Sequence, residues 1–221
     1  MKTRLLLLAG LLLAGVAHAQ FGVRVGTNYA SLSDSGPRNA RYASTDGRVG
    51  YQVGVFYEKK ISARFSIIPE VQFSRQRISL DMIDYDPLAA VEQATYQIGL
   101  SYLSVPILAR TQLGKFYVEI GPQSSFLLSA REKGVENEYP LFSSYRDPAG
   151  GTPFDRRVTN RYQRYDFGTA AGFGVRLPAG LELGLRACAG LLSVTNGARS
   201  TYRGELKNAA FQANVAYQFK H

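Results

Sequence analysis

The alternation of side chains through residues 101–130 constrains the fold more than any other feature of the chain. Leu103, Val105, Ile107 and Ala109 alternate with Tyr102, Ser104, Leu108 and Arg110. After the turn signal Gln112-Leu113-Gly114-Lys115, Phe116, Val118 and Ile120 alternate with Tyr117, Glu119 and Gly121. A period of two puts one face of each strand in an apolar medium and the other in a polar one. Both runs exceed the usual five or six residues of a strand in a soluble sheet. The apolar medium is either a protein core or lipid.

The first residues bear on that choice. Residues 1–19 read as a secretory signal peptide, with Lys2 and Arg4 at its positive end, an apolar run over 5–16, and Ala17-His18-Ala19 as the cleavage site. An uncleaved anchor helix is the alternative for this stretch. Cleavage is expected before Gln20, leaving 20–221 as one barrel domain. No cysteine follows that point until Cys188, so neither a lipoprotein anchor nor an intrachain disulfide is expected. The formal net charge of +9 suits anionic lipid headgroups before nucleic acid, or simply solubility.

Eight strands and seven connections can be read along the chain. Strands are expected over about 21–29, 48–58, 64–78, the two within 101–130, then 165–177, 181–191 and 208–219. The connections alternate long and short: polar stretches at 31–47, 79–94, 131–163 and 195–207, and tight turns at 59–62, 112–115 and 178–180. This is the arithmetic of an all-β, eight-stranded antiparallel up-and-down transmembrane β-barrel. Short turns would face the periplasm, with both chain ends, and long loops the exterior.

The two faces support lipid outside. The polar face carries Arg24, Glu58, Glu70, Arg110, Glu119, Asp166, Arg176, Glu182 and Arg186 among glycines. Facing inward, these acids and bases would balance as an ion-pair network in a closed lumen. A soluble eight-stranded ligand-binding barrel would reverse the faces. Aromatics on the apolar face gather at both ends of the strands. Phe21, Tyr57, Phe65, Phe116, Tyr217 and Phe219 lie at the turn end, and Tyr29, Tyr51, Phe73, Phe126, Phe167 and Phe211 at the loop end. Two such belts match the two interfaces of a bilayer. Pro69, Pro106 and Pro122 fall inside strands, where each forfeits a ladder hydrogen bond.

Residues 102–108 (Tyr102-Leu103-Ser104-Val105-Pro106-Ile107-Leu108), 116–123 (Phe116-Tyr117-Val118-Glu119-Ile120-Gly121-Pro122-Gln123) and 126–130 resemble the PorT-like outer-membrane β-barrel family. Residues 26–29, 69–71, 166–168 and 211–219 share the resemblance, which covers essentially all of 20–221. It implies an outer-membrane barrel of the Bacteroidetes type, with the strand prolines a family trait. Its name implies an accessory role in protein secretion, although most members have no assigned activity.

Catalysis is not expected. The only histidines are His18, inside the signal peptide, and His221, so an imidazole base, a Cys–His pair and a histidine-built metal site all lack their key group. Carboxylates such as Glu58, Glu70 and Glu119 read as partners of arginines. No cofactor is expected. An eight-stranded barrel has an interior just wide enough to fill with side chains, so a solute pore is not expected either. The remaining candidates are the cations Arg75, Arg77, Arg131, Arg146, Arg156, Arg157 and Arg161. They either contact lipopolysaccharide or a protein partner, or are solvated and offset by Glu132, Glu136, Glu138, Asp147 and Asp155. The expectation is a monomeric outer-membrane protein with a structural or surface-binding role. A secretion-accessory role and a soluble exported ligand-binding barrel are the alternatives.

Overall fold

The computed structural model describes residues 20–34, 41–85, 90–140, 151–195 and 206–219; the signal-peptide reading and Arg146 lie outside them. Nine strands are formed: β1 (Gln20–Asp34), β2 (Arg41–Lys60), β3 (Phe65–Tyr85), β4 (Ala90–Leu113), β5 (Phe116–Pro140), β6 (Thr152–Arg157), β7 (Tyr165–Arg176), β8 (Leu181–Ser193) and β9 (Leu206–Gln218). Eight of them pair antiparallel with their neighbours, and β1 pairs with β9 to close the ring. Closure leaves no wall strand with an unpaired edge, which is the condition for a sheet to stand in lipid.

The strands run further than the alternation indicates. β4 and β5 have 24 and 25 residues, and the connections expected at 31–47, 79–94 and 131–163 each contain strand. The physical reason is solvent. Beyond the bilayer both faces of a hairpin meet water, so backbone pairing continues while the period-two signal fades. β6 was not expected at all. It pairs with β5 at Arg131–Glu136, above the stretch of β5 that pairs with β7.

The tight turns take the shapes their residues permit. Gly114 (φ 64°) turns β4 into β5, and Ala179 (φ 63°) with Gly180 (φ 83°) turns β7 into β8. The prolines break the ladder locally without shifting it. Pairing passes from Pro69–Ile107 to Gln72–Ser104, and from Pro106–Gln123 to Ala109–Ile120, in unchanged register. Beside Pro122 the Thr169 hydroxyl donates to the Gly121 carbonyl at 3.2 Å.

Outside, the wall is apolar. Val25, Val53, Val55, Val71, Ile107, Val118, Ile120, Leu183 and Leu185 are exposed, as are Phe116 and Phe211 at 65% and 67%. The belts pack as rings: Phe21 on Tyr57 at 5.3 Å, Tyr51 on Phe73 at 6.3 Å, Tyr217 on Phe219 at 5.2 Å. From Phe21 to Tyr29 the strand rises about 27 Å, or about 20 Å along the axis at a tilt of about 40°. That height suits the thin hydrocarbon layer of an outer membrane.

Candidate functional site

The alternation that turns apolar side chains outward turns charge inward, and at the turn end of the lumen eight of these groups form one network. Arg110 donates to Glu119 Oε2 through Nε (3.1 Å) and Nη2 (2.8 Å), and to Glu182 through Nη1. Arg186 reaches Glu119 Oε1 at 2.8 Å and Glu70 at 3.1 Å. Arg24 lies 3.1 Å from Glu70 and 3.6 Å from Glu119. Arg176 links Glu58 at 3.0 Å to Glu182 at 2.8 Å. Glu58 also accepts from Ser66 and Gln218.

Four arginines therefore balance four glutamates from seven strands. Arg110 and Glu182 are fully buried, a position a charge tolerates only when paired and hydrogen-bonded. Asp166 departs from the expected set. It lies further up the lumen, pairs with no arginine among the described residues, and accepts the Leu192 amide at 3.3 Å. The sequence places it on the inward face, but its height in the barrel puts it beyond the network.

Glycines make room for this layer in a way the sequence did not reveal. Arg110 stacks on the Tyr117 ring at 3.9 Å. That ring lies flat along the wall over Gly174 and Gly184, and a Cβ at Gly184 would come within 2.7 Å of its hydroxyl. Gly22 gives Phe56 the same clearance. The inward glycines serve aromatic rings as much as arginines.

Above the network a small polar chamber of about 20 Å³ is lined by Gln72, Ser74, Gln76, Tyr102, Ser104, Gln123, Ser125, Asp166 and Gln212. That is room for roughly one or two waters. Above the chamber the lumen becomes apolar, contrary to the polar interior expected. Leu32, Ile78, Ile98, Leu100, Leu127, Ala130, Leu206 and Ala210 point inward and pack with Val158, Tyr162 and Val194. The last three come from segments folded over the barrel mouth. The Val158 amide donates to the Ala130 carbonyl at 3.0 Å, and the Leu127 amide to the Arg164 carbonyl at 2.7 Å. On this plug sits Glu132, buried, taking Arg156 at 3.2 Å, Arg161 at 3.5 Å and the Tyr162 hydroxyl at 3.0 Å.

The candidate surface arginines thus separate into two groups. Arg156 and Arg161 turn onto Glu132. Arg75, Arg77, Arg131 and Arg157 stand on the outer wall near the loop end, where Arg48 and Lys133, not singled out from the sequence, join them. Arg131 holds Asp155 through two hydrogen bonds of 2.6 and 2.9 Å. That contact keeps the Asp155 carboxyl below its ordinary value of 3.8 and raises Arg131. Arg75 donates to Ser101 at 2.7 Å and Arg48 to Ser79 at 2.7 Å. Among the described residues no group of three or more His, Cys, Asp and Glu is placed to hold a metal.

A family model described as outer membrane protein beta-barrel domain matches residues 15–196. Among solved structures the chain is similar to Ail, the attachment invasion locus protein of Yersinia pestis, crystallised with the heparin analogue sucrose octasulfate. That match has 11% identity and a TM-score of 0.46, over 91% of this chain and 99% of that one. Neisserial surface protein A matches at 13% identity and a TM-score of 0.46, over 90% and 97%. OprG from Pseudomonas aeruginosa matches at 12% identity and a TM-score of 0.44, over 92% and 97%. No curated protein matches the sequence. A closed antiparallel ring with a lipid-facing wall and a family match over most of the chain lead to one conclusion: this protein belongs to the outer membrane protein beta-barrel domain family and resides in the bacterial outer membrane.

Proposed function

We propose that this protein is a closed, non-enzymatic, monomeric barrel that works through its loop-side surface, as a structural or surface-binding component of the outer membrane. The observation that carries the reading is the double closure of the lumen. Four arginines and four glutamates cross it at the turn end, and an apolar plug fills it at the loop end. A solute would have to break the buried ion pairs and then cross a dry layer. The absence of an imidazole between residues 20 and 220 supports the non-enzymatic part. The test is swelling of proteoliposomes in small sugars. The expected rate is that of empty vesicles; porin-like swelling would overturn the reading.

A second reading, an accessory role in protein secretion, rests on the resemblance of residues 102–130 to the PorT-like family. Deletion of the gene would then leave exported proteins accumulating in the periplasm. An unchanged secreted fraction would remove this reading and leave the first.

A further inference from the structure

We propose that the outer wall carries a built phosphate site, a row of arginines at Arg48, Arg77, Arg131 and Arg157 that holds the phosphate groups of outer-leaflet lipopolysaccharide. The proposal rests on the outer-membrane location and not on the closed lumen.

The row is a matter of register. Arg48 is paired with Arg77, Arg77 with Gly99, Gly99 with Arg131, and Arg131 with Arg157. One line perpendicular to the strands therefore crosses β2, β3, β4, β5 and β6, about 19 Å of wall at the usual strand spacing. Four of its five positions are arginine. The fifth is not empty of charge. Arg75, two residues below on β3 and on the same face, lays its guanidinium over Gly99, where a side chain would collide with it, and is fixed there by Ser101.

Two β-bulges create this alignment. Between Arg48 and Tyr51 the β2–β3 register shifts by one, and between Ser101 and Tyr102 the β4–β5 register does the same. Without the first, Val49 would oppose Arg77 and Arg48 would point inward. Without the second, Gly99 would oppose Ala130 and Arg131 would point inward. A one-residue slip flips every side chain to the other face, and bulges are the device that re-aims them. The first bulge is itself propped. Asn28 on β1 reaches across Gly50 to donate to the Tyr51 carbonyl at 2.9 Å.

The position matches a lipid phosphate. Phe73 belongs to the loop-end aromatic belt, and Arg77 lies four residues above it on the same face, about 10 Å higher along the axis. That is the headgroup layer. The charge also calls for an anion. Like charges directly opposed across strands destabilise a sheet, and the row contains two such pairs. The Arg131–Arg157 pair has Asp155 beside it. Among the described residues the Arg48–Arg77 pair has no carboxylate at ion-pair distance, although Asp46 lies on the same strand. A phosphate bridging two guanidinium groups would convert that repulsion into bidentate contacts.

Native mass spectrometry of protein extracted from outer membranes in mild detergent tests the site. Wild type should retain lipopolysaccharide, and Arg48→Ser/Arg77→Ser should retain about tenfold less, the worth of one charge-assisted contact. Arg156→Ser/Arg161→Ser, which removes equal charge from the Glu132 cluster, should retain the wild-type amount. Equal loss in both variants would overturn the proposal. Delipidated wild type should rebind intact lipopolysaccharide and not its dephosphorylated form. Equal rebinding of the two, or displacement of the lipid by millimolar inorganic phosphate, would overturn it as well. Each variant is checked for heat-modifiable migration. Lipid loss with the shift intact concerns the row; absence of the shift in wild type would instead undo the barrel. Should the double variant lose the shift, Arg77→Ser alone, exposed on the wall, reads the same outcome.

Discussion

Arg110 on β4 and Glu119 on β5 stand directly opposite each other in the central hairpin, joined through Glu119 Oε2 by hydrogen bonds of 3.1 and 2.8 Å. The other carboxylate oxygen accepts from Arg186 on β8. One local pair, set by the hairpin, is thus tied to β8, two strands further round the ring. Glu119→Ala would leave buried arginines short of a partner. It should cost about 3–5 kcal/mol, the penalty of breaking a buried pair from one side. Urea titration of heat-modifiability measures it; a loss below about 1 kcal/mol would show that the network is dispensable.

Gly184 and Tyr117 make a paired prediction. Gly184→Ala places a methyl against the Tyr117 hydroxyl and the Asn214 amide, and should destabilise by about 1–3 kcal/mol. Tyr117→Phe in the same chain should recover part of that loss, because the nearest atom is gone. A double-mutant cycle reads the coupling. Strict additivity would mean that the ring does not depend on that glycine.

The apolar plug is predicted to be structural. Leu100→Ala and Leu127→Ala, both fully buried in the native lumen, should each cost about 2–5 kcal/mol. Neither should admit solute, because the ion-pair layer lies below. Urea titration with vesicle swelling separates the two effects; solute entry through either variant would make the plug the only barrier.

At the rim, Asp155 should titrate below 3.8, held down by the hydrogen bonds from Arg131. A depressed carboxylate stabilises the fold at pH above its unfolded value, and that contribution is lost as pH falls through the folded one. The Arg131–Asp155 link is therefore complete at neutral pH and released only in acid. Carboxyl NMR titration should show this, and Arg131→Ser should return Asp155 towards 3.8. No upward movement would sever the link.

The membrane-spanning half of the fold was legible because lipid on one face and packed charge on the other impose a strict period of two. Val53, Val55, Ile107 and Val118 against Gln52, Gly54, Leu108 and Glu119 carry that pattern. Balance among the inward charges was visible for the same reason. The loop-end half was not. Ile98, Leu100 and Leu127 are apolar on the inward face, so the contrast between faces disappears where the plug begins. β6 alternates against water on both sides. The arginine row depends on two bulges, and a bulge is a phase shift of one residue that periodicity averages away. Position on a face could be read from the sequence, and so could the height of the aromatic belts; the height at which the ion-pair layer ends, which separates Asp166 from the network, could not.

The most direct measurement is single-channel recording of the purified, heat-modifiable protein in planar bilayers. Crossed arginine–glutamate pairs beneath an apolar plug predict a flat trace, without defined conductance steps across the usual voltage range. Regular steps of uniform size would contradict the closed lumen and, with it, a role confined to the surface.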